Sequence, residues 1–281
     1  MKILAALLAF ACLAPIVAQA EGPKEWKEIR VATEGAFRPW NYSNPDGTLG
    51  GFEVELYADL CRRMQAHCTL EATPFDGVIP ALLAGKFDAI MAAMSATPKR
   101  EQVIAFSVPY ATTGGTFATV KGSDLASLGM TDQIFSLTTD EAGAQKAIDK
   151  LAVALKGKVI GVQTATIYVA FLEKYLKGKV EWREYKTTEQ HDLDLEAGRV
   201  DIIMGSTATL RATIEKSANQ DLVLTGPRFQ GGLLGRGSSV GLRKEDTELK
   251  AKFDKAIGEA QEDGTIARLA TQYFGFDASV H

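Results

Sequence analysis

Apolar positions change period along this chain, and the changes mark its elements. Residues 29–33, Ile-Arg-Val-Ala-Thr, read as a first strand, and 34–39 as a loop after it. Asn44-Pro-Asp-Gly47 is a turn signal. Over 52–66, Val54, Tyr57, Leu60, Cys61 and Met64 recur at helical spacing. A strand over 68–72 and a short helix over 78–83 follow, and Gly85 stops that helix. The apolar run 87–93 reads as a buried strand. Thr97 is then a good N-cap and Pro98 a good first helical residue. Strands alternating with helices predict a parallel sheet with crossover helices.

The pattern repeats. Ala84-Gly-Lys-Phe-Asp-Ala-Ile-Met91 recurs as Ala197-Gly-Arg-Val-Asp-Ile-Ile-Met204, with glycine where a helix stops and a buried strand beyond it. The opening strands match too, Arg30-Val-Ala-Thr33 with Val159-Ile-Gly-Val162. This predicts two α/β lobes of like topology. The stretch 123–155 is less regular, with a helix over 142–155. A strand over 240–243 and helices over 247–272 close the chain. Segments 116–120 and 238–242 are the expected crossings between lobes. Lobe 1 is then 21–117 with 238–281, and lobe 2 is 118–237.

Composition narrows the class. The 281 residues are 46% hydrophobic and 23% charged, with net charge −4, which favours neither nucleic acid nor an anionic membrane as partner. Lys2, the apolar run after it and Ala18-Gln19-Ala20 form an export signal, with cleavage expected after Ala20. The mature chain would carry 30 basic against 35 acidic residues. Cys12 leaves with the signal. Cys61 and Cys68 remain, a pair that in an exported chain favours a disulfide over two buried thiols. His67, His191 and His281 are scattered, so no metal site and no cofactor is expected.

The chemistry gathers at strand ends, where open parallel sheets bind ligands. Ser95 sits at such an end, and Arg100 follows in the next helical turn. A first helical turn attracts anions, and a guanidinium is a two-pronged carboxylate donor. Met94–Arg100 is therefore expected to clamp a carboxylate. The other strand ends carry Glu34 and Phe37, Phe75, Gln163 to Ile167, and Ser206. Facing lobes would point all of them into one cleft. Asp88 and Asp201, each at a strand start, are expected to be structural, and Trp40 and Trp182 to pack, Trp40 near the cleft entrance.

These motifs occur in a familiar order: the export signal, Glu34-Gly-Ala-Phe-Arg-Pro39, Gly50-Gly-Phe-Glu-Val-Glu-Leu56, the cysteine pair, Ser95-Ala-Thr-Pro-Lys-Arg100, Gly161-Val-Gln163 and Ala197-Gly-Arg-Val-Asp201. Over essentially the whole mature length the chain resembles periplasmic solute-binding proteins of ABC importers for polar amino acids. It is most similar to the lysine/arginine/ornithine, histidine and octopine/nopaline binders. The resemblance implies a hinged, periplasmic-binding-protein-like α/β fold. It also implies a periplasmic monomer that delivers an amino acid or opine to an ABC permease of the inner membrane. Arg100 matches the arginine that holds the ligand α-carboxylate, and Ser95 a serine at the head group. Thr166 and Ile167, in the loop with Thr164 and Ala165, match the second-lobe half of that site. Phe37 and Phe75 match two aromatics around the ligand side chain, and Glu34 an acid that pairs with a distal cation.

Two departures bear on the ligand. Ser206 stands where the basic amino-acid binders place an aspartate for the α-ammonium. Ala92 and Ala93 replace serines of lysine-type sites. A bare ammonium in a closed cleft needs a strong partner, so an opine or arginine-type derivative is expected ahead of a plain basic amino acid. An enzyme resembling cyclohexadienyl dehydratases is the rival of another class, with Glu34 its one candidate acid or base. A receptor sensor domain would need a membrane span after the lobes, and none precedes His281.

Overall fold

The first strand, β1 (Glu28–Thr33), alternates exposed and buried residues and then runs fully buried into Glu34. The computed structural model describes residues 25–216 and 221–280; the expected export signal and its cleavage site lie outside them. A small three-stranded sheet follows β1, made of β2 (Ala36–Phe37), β3 (Asn41–Ser43) and β4 (Leu49–Gly50). Then come α1 (Phe52–Arg63), β5 (His67–Ala72), α2 (Val78–Leu83), β6 (Ala89–Ile90), α3 (Pro98–Glu101) and β7 (Ala105–Ala111). A disulfide joins Cys61 of α1 to Cys68 of β5.

The chain then enters a second sheet with β8 (Gly115–Val120). Next are β9 (Ile134–Ser136), α4 (Glu141–Ala154), β10 (Val159–Gln163), α5 (Ile167–Phe171), β11 (Glu181–Tyr185), α6 (Thr188–Glu196), β12 (Ile202–Ser206), α7 (Thr207–Lys216) and β13 (Leu222–Gln230). It returns as β14 (Ser238–Leu242), and α8 (Thr247–Glu262) and α9 (Thr265–Phe274) follow.

The strand orders show the repeat. The first sheet runs β5-β1-β6-β14-β7, and the second β11-β10-β12-β8-β13-β9. In both, the opening strand lies parallel between two neighbours, and an antiparallel strand pairs with the inner one. The sheets are thus mixed rather than wholly parallel, because the strand that directly follows each crossing, β8 or β14, runs against its neighbours. The repeated aspartates do matching work. Asp88 accepts from the Arg30 backbone N–H at 3.0 Å, and Asp201 from that of Val159 at 2.8 Å. Burial pushes the Asp88 carboxyl up, but bonds from Arg30 and Arg243 outweigh it and hold the pKa at about 2.

Two expectations about the crossings are corrected. Segments 116–120 and 238–242 are regular strands inside a sheet, since their buried backbone groups need ladder partners. The chain passes between sheets just before them, at 112–114 and 231–237. The strand expected over 87–93 is also shorter. Backbone bonding to β1 continues to Met91, whose N–H donates to Ala32, but Ala93 has a left-handed φ of 49° and leaves the ladder.

Candidate functional site

Met94–Ala96 is held from outside by the returning chain. Ser95 bridges Ser238, the Ala96 N–H donates to the Gly237 carbonyl at 3.1 Å, and Ser239 donates to Met94 at 3.0 Å. Gly235 is required here, because a Cβ on it would lie 2.6 Å from the Ala96 carbonyl oxygen. Thr97 then caps α3, accepting from the Arg100 N–H at 3.3 Å, with Pro98 at the first position as expected. Since α3 is a single turn, the anion-binding capacity rests on the Arg100 side chain rather than on a helix N-terminus.

The Arg100 guanidinium donates to the Ser95 carbonyl at 3.0 Å and to the Ala165 carbonyl, from the other lobe, at 3.1 Å. It also lies 5.6 Å from the centre of the Phe75 ring. Among the described residues it has no carboxylate partner. Burial lowers its pKa to about 10, so it stays charged at neutral pH. Two neutral carbonyls orient the cation and leave its charge uncompensated.

Glu34 follows β1, and Gln163 ends β10, the equivalent strand of the other lobe. The Gln163 side-chain amide donates to the Glu34 carboxylate at 2.6 Å and to the Lys186 carbonyl at 3.2 Å. Glu34 is 7% exposed. Burial raises its pKa to about 7, against the pull of the Gln163 bond, and the nearby charges of Glu53 and Asp76 push the same way.

Ser206, the last residue of β12, is engaged by neutral groups. Trp40 Nε1 donates to its Oγ at 3.4 Å, and Thr113 Oγ1 lies 2.8 Å from it. The Tyr168 hydroxyl also reaches Ser206, and burial pushes that phenol well above its ordinary pKa. The Tyr168 ring covers the backbone of Gly115 so closely that a Cβ there would fall 2.5 Å from it.

These groups line one cavity between the lobes. Of the residues expected from sequence, Glu34, Phe37, Phe75, Ala93, Ser95, Arg100, Gln163, Thr166, Ile167 and Ser206 line it. Thr164 and Ala165 do not. Thr164 Oγ1 instead donates to Glu184 at 2.6 Å, drawn off by a surface carboxylate. Ala165 is exposed, and only its carbonyl serves the site, through Arg100. Thr166 Oγ1 donates back to the Gln163 carbonyl at 2.7 Å, which tightens the loop.

Sequence reasoning missed several liners. Trp40, expected to pack near the cleft entrance, packs edge-on against Phe52 and tilted against Phe274, and it also lines the cavity. Thr113 and the 231–237 segment were missed because the crossings were placed a few residues too late. Tyr168 carried a usable signal, since it directly follows Ile167, at the start of α5.

The whole folded region is matched by known proteins. The family model described as bacterial extracellular solute-binding proteins, family 3, matches residues 29–276. An octopine-binding periplasmic protein of Rhizobium meliloti is 41% identical over 96% of this chain and 98% of its own length. The lysine/arginine/ornithine-binding periplasmic protein of Escherichia coli is 32% identical over 89% of this chain and 88% of its own. A crystal structure of a periplasmic His/Glu/Gln/Arg/opine family-binding protein from Silicibacter pomeroyi, in complex with lysine, superposes with a TM-score of 0.72. It is 29% identical and covers 90% of this chain and all of its own.

Proposed function

Because this chain belongs to the bacterial extracellular solute-binding proteins of family 3, we propose that its cleft takes an opine or another arginine-type amino-acid derivative and hands it to an ABC permease. One observation carries this reading above all: the Arg100 guanidinium, half-buried, oriented by two carbonyls and without a carboxylate partner among the described residues. A ligand carboxylate supplies the missing charge.

Glu34 receives the cationic end of the ligand, with Phe37 and Phe75 flanking its chain. Ser95, Thr166 and Ile167 complete the carboxylate end. At Ser206 the site offers hydroxyls and an indole rather than an acid. A bare α-ammonium is poorly served there, whereas a substituted nitrogen bearing a second carboxylate is not repelled. The likeness to an octopine-binding relative supports the same choice. A plain basic amino acid such as arginine, lysine, ornithine or histidine is the second reading, supported by the basic amino-acid-binding relatives.

The mechanism is closure about the crossings at 112–114 and 231–237. Ligand bridges Arg100 and Glu34 of one lobe to Gln163, Thr166 and Ser206 of the other. It therefore binds the closed form more tightly and shifts the equilibrium toward it. The protein acts as a monomer in the periplasm, after cleavage beyond Ala20, and works by binding rather than catalysis. Calorimetry with octopine, nopaline, arginine, lysine and histidine tests this. Binding to none of the five would overturn the ligand class, and turnover of prephenate or arogenate would overturn the non-catalytic reading.

A further inference from the structure

Glu53 is the second residue of α1, 1% exposed, on the apolar side of the first lobe. Among the described residues no cation pairs with it. Three donors converge on it instead. Asn41 Nδ2 donates to Oε2 at 2.6 Å, the Ala93 backbone N–H donates to Oε1 at 2.7 Å, and the Tyr110 hydroxyl donates to the same oxygen. Asn41 is itself fully buried, and its Oδ1 accepts from the Gly35 N–H at 2.7 Å. Burial pushes the Glu53 carboxyl up, while all three donors pull it back down.

We propose that Glu53 is a positioning residue of the cleft, one buried carboxylate that fixes the Glu34 loop and the Ala93 loop relative to each other. On one side the hold passes through Asn41 to the peptide directly after Glu34. On the other it passes straight to Ala93, which lines the cavity. Ala93 is not glycine, yet its φ is 49°. Such a conformation persists only where the surroundings over-determine it, and the bond to Glu53 does so. Tyr110 adds a third tie, near the end of β7 and just before the crossing at 112–114. A leucine at position 53 would pack the helix at lower desolvation cost. The carboxylate serves because the Asn41 side-chain amide, the Ala93 N–H and the Tyr110 hydroxyl must all find an acceptor at one point. Its charge also faces Glu34 across the same loop and raises that group's affinity for protons.

Amide exchange tests this without needing a ligand, and affinity tests it by way of the proposed binding function. In Glu53→Gln the new side-chain amide would present a donor to the Asn41 amide, so the relay breaks. Exchange at the Gly35 and Ala93 amides is expected to quicken about tenfold or more, with the Val162 amide of the other lobe unchanged. Affinity for the best ligand of the five named above is expected to fall about tenfold. Combining Glu53→Gln with Asn41→Asp moves the carboxylate one step along the relay. It then accepts both from Gly35 and from the new amide, and both readouts should recover. Wild-type exchange and affinity in Glu53→Gln would overturn the proposal. So would uniform quickening of all amides that the double variant does not reverse. If Glu53→Gln does not fold, recovery of folding in the double variant supports the relay and its absence overturns it. Failure of the wild-type protein to bind any of the five sinks the functional reading alone, since the exchange result still decides this one.

Discussion

Gln163 and Glu34 occupy equivalent places in the two halves of the repeat, each at the end of its lobe's opening strand, and they meet at 2.6 Å across the cleft. The internal duplication thus places an acceptor and a donor face to face when the lobes come together. Glu34 has lost most of its water there, and its pKa of about 7 follows from that.

The pH dependence of binding follows from the sign of this shift. A guanidinium ligand needs Glu34 ionised, and pairing with the cation lowers the carboxyl's pKa in the complex. Binding therefore releases a proton below about pH 7, and affinity is lost as pH falls through that value. Between pH 8 and pH 6 an arginine-type ligand should lose about tenfold in affinity. Gln163→Ala removes the bond that pulls the pKa down, so the midpoint should move to higher pH. Calorimetry in buffers of different ionisation enthalpy measures both. A flat profile from pH 6 to 8 would exclude Glu34 as the cation's partner.

Arg100→Ala should weaken binding by about 3 to 5 kcal/mol, a few hundredfold or more, because a ligand carboxylate would be left buried and unpaired. The melting temperature of the ligand-free protein should hold or rise, since an uncompensated, half-buried cation is removed. Calorimetry and thermal melts read the two effects separately. Near wild-type affinity would show that another group holds the carboxylate.

Ser206→Asp should invert the preference at the nitrogen. An acid there favours a free α-ammonium and repels the second carboxylate of an opine, at a cost of about 1 to 3 kcal/mol either way. The ratio of arginine to octopine affinity, measured on both proteins, gives the answer. An unchanged ratio would mean that the ligand's nitrogen does not face Ser206.

Gly115→Ala tests the packing behind this corner. The added Cβ would come 2.5 Å from the Tyr168 ring, so the ring must move away from Ser206. A loss of about 1 to 3 kcal/mol in stability is expected, with weaker binding. Denaturant melts and calorimetry would detect both, and an unchanged melt would show that the ring has room to move.

The parts of the site that can be read along the chain are those built from neighbours. Thr97, Pro98 and Arg100 form one turn whose cap and side-chain direction depend on residues within three positions of each other. The repeat was legible because helix stops and buried strands recur in the same order in both halves. Glu34 and Gln163 could be named because each directly follows, or ends, an apolar run. Thr164 was misplaced because its hydroxyl is drawn to Glu184, twenty residues later in the chain.

What the sequence by itself determined is therefore the alternation of strands and helices, the duplication, and the capped turn that carries Arg100. Periodicity and capping are local, so a short window contains their cause. Only the tertiary structure decided where the chain crosses between lobes, that Trp40 and Thr113 meet Ser206, and that Glu53 ties two cleft loops together. Those outcomes join residues 166, 93 and 40 positions apart. They depend on which buried polar groups find one another once the sheets pack, and no window of sequence contains both partners.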